Sequence, residues 1–335
     1  MKTLCHRFEE VVSLENLALA WEEFSRGKRN KPDVQLFERN LIDNLVLLHN
    51  DLVNHTYKHS KYYAFFVNDP KQRRIHKAIV RDRVVHHAVH RILYPFFAGK
   101  FIADSFSCQI GKGTHKALIR FKNIAMQVSR NNTRTCWVLK CDIRKFFASI
   151  DHDILFSLLQ HSIPDQNILW LLQEIISSFE TTPVIGLPLG NLTSQLFANV
   201  YMHEFDLFTK KQIKAKYYIR YTDDFVIFSH DRNELLSLIE PISSFLFAHL
   251  RLSLHPEKLF LKTFSSGVDF LGWIHFPTHR VLRASSRHRI LKRIQKSPSE
   301  ATLQSYLGLL KHGDAFGARQ ELLNAYWIAQ QRYEY

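Results

Sequence analysis

Asp223 and Asp224 are adjacent carboxylates within the apolar and aromatic segment 217–228. The pattern predicts two short β-strands with a turn at Thr222-Asp223-Asp224 between them. Two carboxylates at the tip of a buried hairpin repel each other and resist ionising together. A divalent cation such as Mg²⁺, which prefers oxygen ligands, would remove this repulsion. The segment alone is also consistent with an Asx-rich turn whose carboxylates face water, so a metal site needs a third ligand elsewhere.

Asp142 is the candidate third ligand. It follows the apolar segment 136–141, which predicts a strand that ends on an acid before a turn and a helix at about residues 151–161. Three carboxylates on neighbouring strands could hold two Mg²⁺ ions about 4 Å apart, the arrangement for in-line phosphoryl transfer. One ion would lower the pKa of an attacking hydroxyl, and the other would neutralise a leaving pyrophosphate. The alternative, an N-cap aspartate, fits Asp151 better than Asp142.

The composition indicates a folded and basic protein. The chain has 335 residues, of which 46% are hydrophobic and 13% aromatic, and its length predicts two or three subdomains. Its 45 Lys and Arg residues against 31 Asp and Glu give a formal charge of +14 and a pI near 9.6. This excess favours a polyanionic partner through phosphate contacts and counterion release, and a generic basic surface is the alternative.

Cysteine usage and hydropathy indicate the compartment. The four cysteines, at positions 5, 108, 136 and 141, form no CxxC pair and no metal-ligand spacing, which predicts reduced thiols. The N-terminus has no apolar signal segment, and no run approaches the ~20 apolar residues of a membrane span. We therefore expect a cytoplasmic protein without a membrane partner.

A basic hairpin is predicted after two N-terminal helices at about residues 3–26 and 34–53. Strands at 62–67 and 72–79 bring together four cations, namely Lys71, Arg73, Arg74 and Lys77. Because Arg binds phosphate bidentately, the hairpin could hold a triphosphate. A solvated basic edge strand that prevents aggregation is equally consistent with the pattern.

Two further segments could bind ions. The helix predicted over residues 81–93, ending near Pro95, places His86 and His90 one turn apart. Without a third ligand nearby, packing or phosphate contact is favoured over a metal site. The glycine-flanked lysine in segment 111–115 precedes a helix at about 114–130, where an anion could bind, and a simple strand-to-helix turn explains it equally well.

Five segments resemble, in the family's order, the polymerase motifs of reverse transcriptases. They are residues 142–152 (motif A), 186–195 (motif B), 221–224 (motif C), 255–258 (motif D) and 270–276 (motif E). The resemblance extends over about residues 60–315 and implies an α+β fold, the right-hand polymerase. It implies fingers over 1–136, a palm with an antiparallel sheet over 137–280, of which 154–185 belong partly to the fingers, and a short helical thumb over 281–335.

Some segments look more specifically like the reverse transcriptases of diversity-generating retroelements, namely residues 81–87, 190–195, 270–277, 280–283 and 305–312. This resemblance implies copying of a template-repeat RNA into cDNA with errors at template adenines. It also implies a small basic accessory protein, and an oligomeric assembly stays open. Thr222 departs from the group, which more often has Met there. A group II intron-like or other bacterial reverse transcriptase and a non-catalytic RNA-binding scaffold are the alternatives.

The resemblance implies a role for each motif residue. Asp142, Asp223 and Asp224 would be the catalytic metal ligands, with the main-chain carbonyl of Ile143 completing one sphere of two Mg²⁺ ions, for which Mn²⁺ could substitute. Phe147 matches the steric gate that excludes a 2′-hydroxyl and so selects dNTP substrates. Core packing beside Phe146 is the alternative for Phe147.

The incoming nucleotide has further expected contacts. Leu189 lies where retroviral-type enzymes carry a Gln that touches the incoming nucleotide, and we expect it to relax base selection together with Arg74. Arg73 matches the arginine that clamps the triphosphate, with Lys61 or Lys71 as weaker candidates. The remaining expected nucleotide-binding residues are Arg144, Lys145, Phe146, Gln195 and Lys258, the last as a general acid toward pyrophosphate. The expected primer grip is Phe270, Leu271, Gly272 and Trp273, and the partners are the template RNA and the RNA/cDNA duplex.

Overall fold

The fold is a mixture of α-helices and antiparallel β-sheets, seen in a computed structural model that describes residues 3–68 and 72–331. The α+β prediction is therefore confirmed, and Lys71 lies outside the described residues. The α-helices of the described residues are Phe8–Val12 (α1), Leu14–Ser25 (α2), Pro32–Arg39 (α3), Leu41–Val53 (α4), Val80–Ala98 (α5), Thr114–Val128 (α6), His152–Gln160 (α7), Gln166–Ile176 (α8), Leu192–Leu207 (α9), Arg232–Ser237 (α10), Ile239–Leu250 (α11), Ala284–Lys296 (α12), Glu300–Leu310 (α13) and Phe316–Gln331 (α14).

The β-strands form three separate antiparallel sheets. The strands of the described residues are Tyr63–Val67 (β1), Arg73–Lys77 (β2), Trp137–Asp142 (β3), Tyr218–Tyr221 (β4), Asp224–Ser229 (β5), Phe260–Thr263 (β6), Val268–Phe270 (β7), Trp273–His275 (β8) and Arg280–Leu282 (β9). β1 and β2 form a hairpin, and the central sheet has the order β4-β5-β3-β6. The third sheet has the order β7-β8-β9.

The chain divides into two compact units, each built from several segments. The first contains the chain up to Gln109, Ile143–Lys214 and Pro241–His255. Its core forms where α5 packs against α2 and α9, because each of these helices buries an apolar face. The β1–β2 hairpin belongs to this unit.

The second unit contains Ile110–Asp142, Ala215–Glu240 and the chain from Pro256 onward. α6 packs against β4 and β5 of the central sheet, and the fully buried ring of Phe121 lies against Phe228 and Phe270. Helices α12, α13 and α14 pack around a separate apolar core that includes Ile294 and Leu322. This unit therefore holds the sheet that carries the three candidate carboxylates.

Two predicted helices are each interrupted at a polar residue. The helix expected over 3–26 is two helices, because the Ser13 hydroxyl accepts a hydrogen bond from the Asn16 amide at 3.1 Å and caps α2. The helix expected over 34–53 begins at Pro32 and is broken at Asn40, between α3 and α4.

The prediction that a helix ends near Pro95 is wrong. Pro95 lies inside α5, which continues to Ala98. Proline removes one backbone donor, but the last turn places Phe97 in the core with 3% of its surface exposed, and this burial maintains the helix. The helix expected at 114–130 is found as α6, and it follows an irregular segment rather than a strand.

Candidate active site

The hairpin around Asp223 has a tight turn that a buried arginine stabilises. Tyr221 pairs with Asp224 across β4 and β5, so Thr222 and Asp223 alone form the turn. Arg220 is fully buried and donates from Nη1 to the Thr222 carbonyl at 3.0 Å. Thr222 has φ 58°, which is strained for a β-branched residue. The strain and the buried arginine fix the conformation of the turn.

Asp142 lies directly opposite Asp224 in the central sheet. It is the last residue of β3, and the antiparallel register pairs it with the first residue of β5. Directly opposed residues have Cβ atoms about 5 Å apart and share one face of the sheet. The strand order and register therefore bring together two carboxylates that are far apart in the sequence.

Burial dominates the electrostatics of this pair. It raises the pKa of Asp224 to about 7; the adjacent Lys140 opposes the rise, and the carboxylates of Asp142 and Asp223 add to it. Lys140 Nζ lies 3.4 Å from Asp224 Oδ2, whereas Asp224 Oδ1 is buried without a hydrogen-bond partner. A buried acceptor with no donor is costly, so this oxygen is suited to bind a cation.

Lys258 forms an ion pair with the other carboxylate, that of Asp142. Its Nζ donates to Asp142 Oδ1 at 2.7 Å from a 3₁₀ turn, Pro256–Lys258, that packs against β3. No cluster of three His, Cys, Asp or Glu side chains within residues 3–68 and 72–331 is arranged to hold a metal as the side chains stand. The donor set itself, three carboxylates with one unsatisfied buried oxygen, fits Mg²⁺, and Lys258 lies on one oxygen of this set, Asp142 Oδ1.

The comparisons with known proteins agree with this chemistry. Residues 59–275, well over half of the chain, match the family described as reverse transcriptase (RNA-dependent DNA polymerase). The chain belongs to the reverse transcriptase family.

The curated relatives include bacterial and intron-encoded proteins. The chain is 23% identical over 260 residues to protein YkfC of Escherichia coli, covering 66% of each chain. It is 28% identical to an uncharacterized 91 kDa protein in the cob intron of Schizosaccharomyces pombe, over 38% of this chain and 16% of that protein. It is 27% identical to the group II intron-encoded protein LtrA of Lactococcus lactis, over 47% of this chain and 26% of LtrA. The chain thus spans less than two thirds of the length of these relatives.

In this reverse transcriptase, the backbone of motif A is bonded to that of motif B. The Phe147 carbonyl accepts from the Leu187 amide at 2.7 Å, and the Ile150 carbonyl accepts from the Gly186 amide at 2.8 Å. Phe146 is 3% exposed and packs edge-on against Phe147, which is only partly buried. Of the two rings, Phe147 is therefore the one with free surface for a nucleotide.

Within the first unit, the backbone of Leu189 is hydrogen-bonded to the basic β1–β2 hairpin. The Leu189 carbonyl accepts from the His76 amide of β2 at 2.9 Å. Gly190 has φ 114°, and a Cβ added there would lie 2.9 Å from Ile75 Cγ2, so only glycine allows this approach. Arg73 and Arg74 are exposed on the same strand, and Arg74 lies two residues from the bond to Leu189.

The other expected nucleotide contacts differ in exposure. Arg144 and Lys145 are exposed, Gln195 is half-buried on α9, and Lys61 is exposed before β1. The Ile143 side chain is apolar and only 1% exposed, so its main-chain carbonyl oxygen would have to be the metal ligand. The nucleotide-binding roles of these residues stay predictions.

The expected primer grip is the hairpin between β7 and β8. Leu271 at φ 50° and Gly272 at φ 85° form its turn, as in a type I′ hairpin. Phe270 and Trp273 are at most 1% exposed. These two side chains therefore anchor the turn in the core, and Leu271 and Gly272 are the residues that it presents.

A buried histidine pair supports motif B and has no simple sequence signal. His86 Nδ1 lies 2.7 Å from the Thr193 hydroxyl, and His86 Nε2 lies 3.1 Å from His59 Nε2. His59 Nδ1 lies 2.7 Å from the Ser60 carbonyl, which only accepts. Neutral His59 therefore accepts from His86, and His86 accepts from Thr193, four residues after Leu189. His86 is thus a packing residue rather than a metal ligand.

Proposed function

We propose that this protein is an RNA-directed DNA polymerase that extends a primer along an RNA template with dNTP substrates. The observation that carries the proposal is the pairing of Asp142 with Asp224, whose Oδ1 is buried and lacks a donor. Membership of the reverse transcriptase family supports it. The fold would be the right-hand polymerase, with fingers, palm and thumb in the order expected from the sequence.

Asp142, Asp223 and Asp224, together with the main-chain carbonyl of Ile143, would hold two Mg²⁺ ions. When bound, Mg²⁺ supplies charge neutralisation and a lowered pKa for the attacking hydroxyl. The chain's own contribution is to fix the carboxylates before substrate arrives, through the sheet register and the strained turn at Thr222. Such preorganised charge costs no rearrangement during the reaction.

The test is primer extension on an RNA template with Mg²⁺ and dNTPs. We expect extension by the wild type and a loss of at least about 10³-fold in Asp223→Asn, because the carboxylate is a metal ligand. Asp43→Asn removes an equivalent charge from an exposed position on α4 and should extend normally. A wild-type protein without metal-dependent extension would favour the RNA-binding scaffold.

A more specific role is mutagenic copying of a template-repeat RNA, as in diversity-generating retroelements. Leu189 supports it, because an apolar side chain at this position cannot donate a hydrogen bond to an incoming nucleotide. Such a role would need a small basic accessory protein as a partner. It is compatible with either a monomer or an oligomer of this chain. Adjacent near-duplicate repeats differing at adenines in the encoding DNA would distinguish this role.

An intron-type reverse transcriptase is the second candidate. It is favoured by the names of the relatives, which include proteins encoded in introns. A flanking intron RNA that the protein binds and copies would decide for it.

None of the helices in the described residues has the length and apolarity that crossing a bilayer requires.

A further inference from the structure

A cavity of about 400 Å³ lies in the second unit, next to the end of motif E at His275 and Phe276. Its wall combines α6, the turn between β8 and β9, and the connection between α13 and α14. None of the three carboxylates and none of the four expected primer-grip residues lines it. The volume is in the range of small-molecule sites.

The wall of this cavity is cationic. Lys122, Arg280 and Lys311 line it, and Asp314 is the carboxylate among its lining residues. No ion pair joins any of these three cations to a carboxylate within the described parts of the chain. Arg280 is instead held in place, because its Nε donates to the His312 carbonyl and its guanidinium lies over the Trp273 ring at 5.5 Å. Three cations without partner carboxylates form an environment for an anion such as phosphate.

His275 adds a buried acceptor to the same wall. It is 2% exposed, and its Nε2 has no hydrogen-bond partner. Burial and the nearby Arg280 lower the pKa of His275 to about 3, although a hydrogen bond to the Phe270 backbone opposes this shift, so the ring is neutral. A neutral ring that donates to a carbonyl keeps a lone pair on its other nitrogen. Nε2 is therefore an unsatisfied acceptor that suits an O–H or N–H donor.

We propose that this cavity binds a phosphorylated ribose, with the phosphate held by Lys122, Arg280 and Lys311 and a sugar hydroxyl donated to His275 Nε2. A free ribonucleotide and one nucleotide of an RNA strand share this chemistry. The aromatic side of the cavity, where Phe276 stacks on His279 with 5.0 Å between ring centroids, is consistent with a nucleoside. Binding at this site does not depend on polymerisation.

The first test is calorimetric titration of the full chain with AMP and with inorganic phosphate, without Mg²⁺. AMP should bind more tightly than phosphate, because only AMP provides hydroxyl donors. The double variant Lys122→Gln, Lys311→Gln changes two exposed side chains and should weaken AMP binding about tenfold, because two charge-assisted hydrogen bonds to the phosphate become weaker neutral ones. The matched control Lys116→Gln, Lys262→Gln removes the same charge from exposed positions of the same unit and should bind AMP within about twofold of the wild type.

The second test separates the two sources of the ligand. A single-stranded RNA of twelve nucleotides without a terminal phosphate is titrated against the same variants by fluorescence anisotropy. Weaker AMP binding in the cavity variant, Lys122→Gln with Lys311→Gln, identifies a free ribonucleotide as the ligand. Weaker RNA binding in this variant, with AMP binding unchanged, identifies one nucleotide of an RNA strand as the ligand. Equal affinities for wild type and cavity variant in both titrations, or an equal loss in the control variant, would overturn the proposal. Absence of primer extension by the wild type would contradict the polymerase function and leave this result intact.

Discussion

Lys258 Nζ lies 2.7 Å from Asp142 Oδ1, so an internal cation neutralises a carboxylate proposed to bind metal. Lysine and Mg²⁺ then compete for the same oxygen. Lys258→Met keeps the side-chain volume and removes the charge, and it should tighten Mg²⁺ binding about threefold, the scale of a partly exposed ion pair. Titration calorimetry with Mg²⁺ in the absence of nucleotide measures this. Lys262→Met, exposed on the neighbouring β6, is the control, and an unchanged or weaker affinity in Lys258→Met would contradict the competition.

Phe147 should determine sugar selectivity. Its carbonyl is bonded to the Leu187 amide, and its ring is less buried than that of Phe146. Phe147→Ala removes the bulk that would exclude a 2′-hydroxyl and should lower the preference for dNTPs over rNTPs by at least about tenfold, a steric effect of about 1.4 kcal/mol. Single-nucleotide extension kinetics provide the two values of kcat/KM. Phe147→Tyr retains the ring and should preserve the preference, and an unaltered ratio in Phe147→Ala would assign the ring to packing alone.

Leu189 should influence base selection. Leu189→Gln adds a side chain that can donate a hydrogen bond to the incoming nucleotide. Because such a bond contributes about 1 kcal/mol, the variant should lower misincorporation opposite template adenine about fivefold. Sequencing of the extension products measures the error rate. Leu189→Met is the apolar control and should leave errors unchanged. If Leu189→Gln and the wild type make errors equally often, fidelity is set elsewhere, with Arg74 as the next residue to test.

Stability should fall in acid because several buried histidines stay neutral in the folded state. Burial lowers the pKa of His86 well below its usual value, and the neighbouring His59 is shifted in the same direction. Burial also lowers the pKa of His87 and of His90 to about 4. The unfolded chain takes up protons below about pH 6.5 and the folded chain does not, so each such histidine costs about 1.4 kcal/mol per pH unit there.

Urea unfolding at pH 7.5, 6.5 and 5.5 tests this dependence. The free energy of unfolding should decrease from pH 6.5 to 5.5, and His86→Gln should be less stable at pH 7.5 but show a smaller decrease. His288→Gln changes an exposed position on α12 and should follow the wild type. A profile that is flat over this range would mean that protonation of these rings is tolerated in the folded state.

The sequence predicts the parts of the site that depend on local pattern. Runs of apolar and aromatic residues indicate β3, β4 and β5, and an acid at the end of β3 indicates Asp142 as a ligand. Helix periodicity does not indicate the breaks at Ser13 and Asn40 or the continuation of α5 past Pro95. The Ser13 hydroxyl caps α2, Asn40 has a non-helical backbone conformation, and α5 continues to bury Phe97. The reason is that helix ends depend on individual hydrogen bonds.

Contacts between distant residues could not be predicted in this way. Lys258 and Asp142 are 116 positions apart, and Thr193 and His86 are 107 apart. No periodicity relates such positions, because the contacts arise only from tertiary packing. The cavity beside His275 also depends on four segments that have no common motif.

The division of the chain has a consequence for how the protein is made. The boundary between Asp142 and Ile143 is one of the places where the chain leaves one compact unit and enters the other. The first unit needs Pro241–His255 to be complete, so it cannot finish folding on the ribosome until more than 250 residues have been synthesised. A truncation that isolates either unit as one continuous segment should yield an aggregation-prone fragment rather than a smaller enzyme.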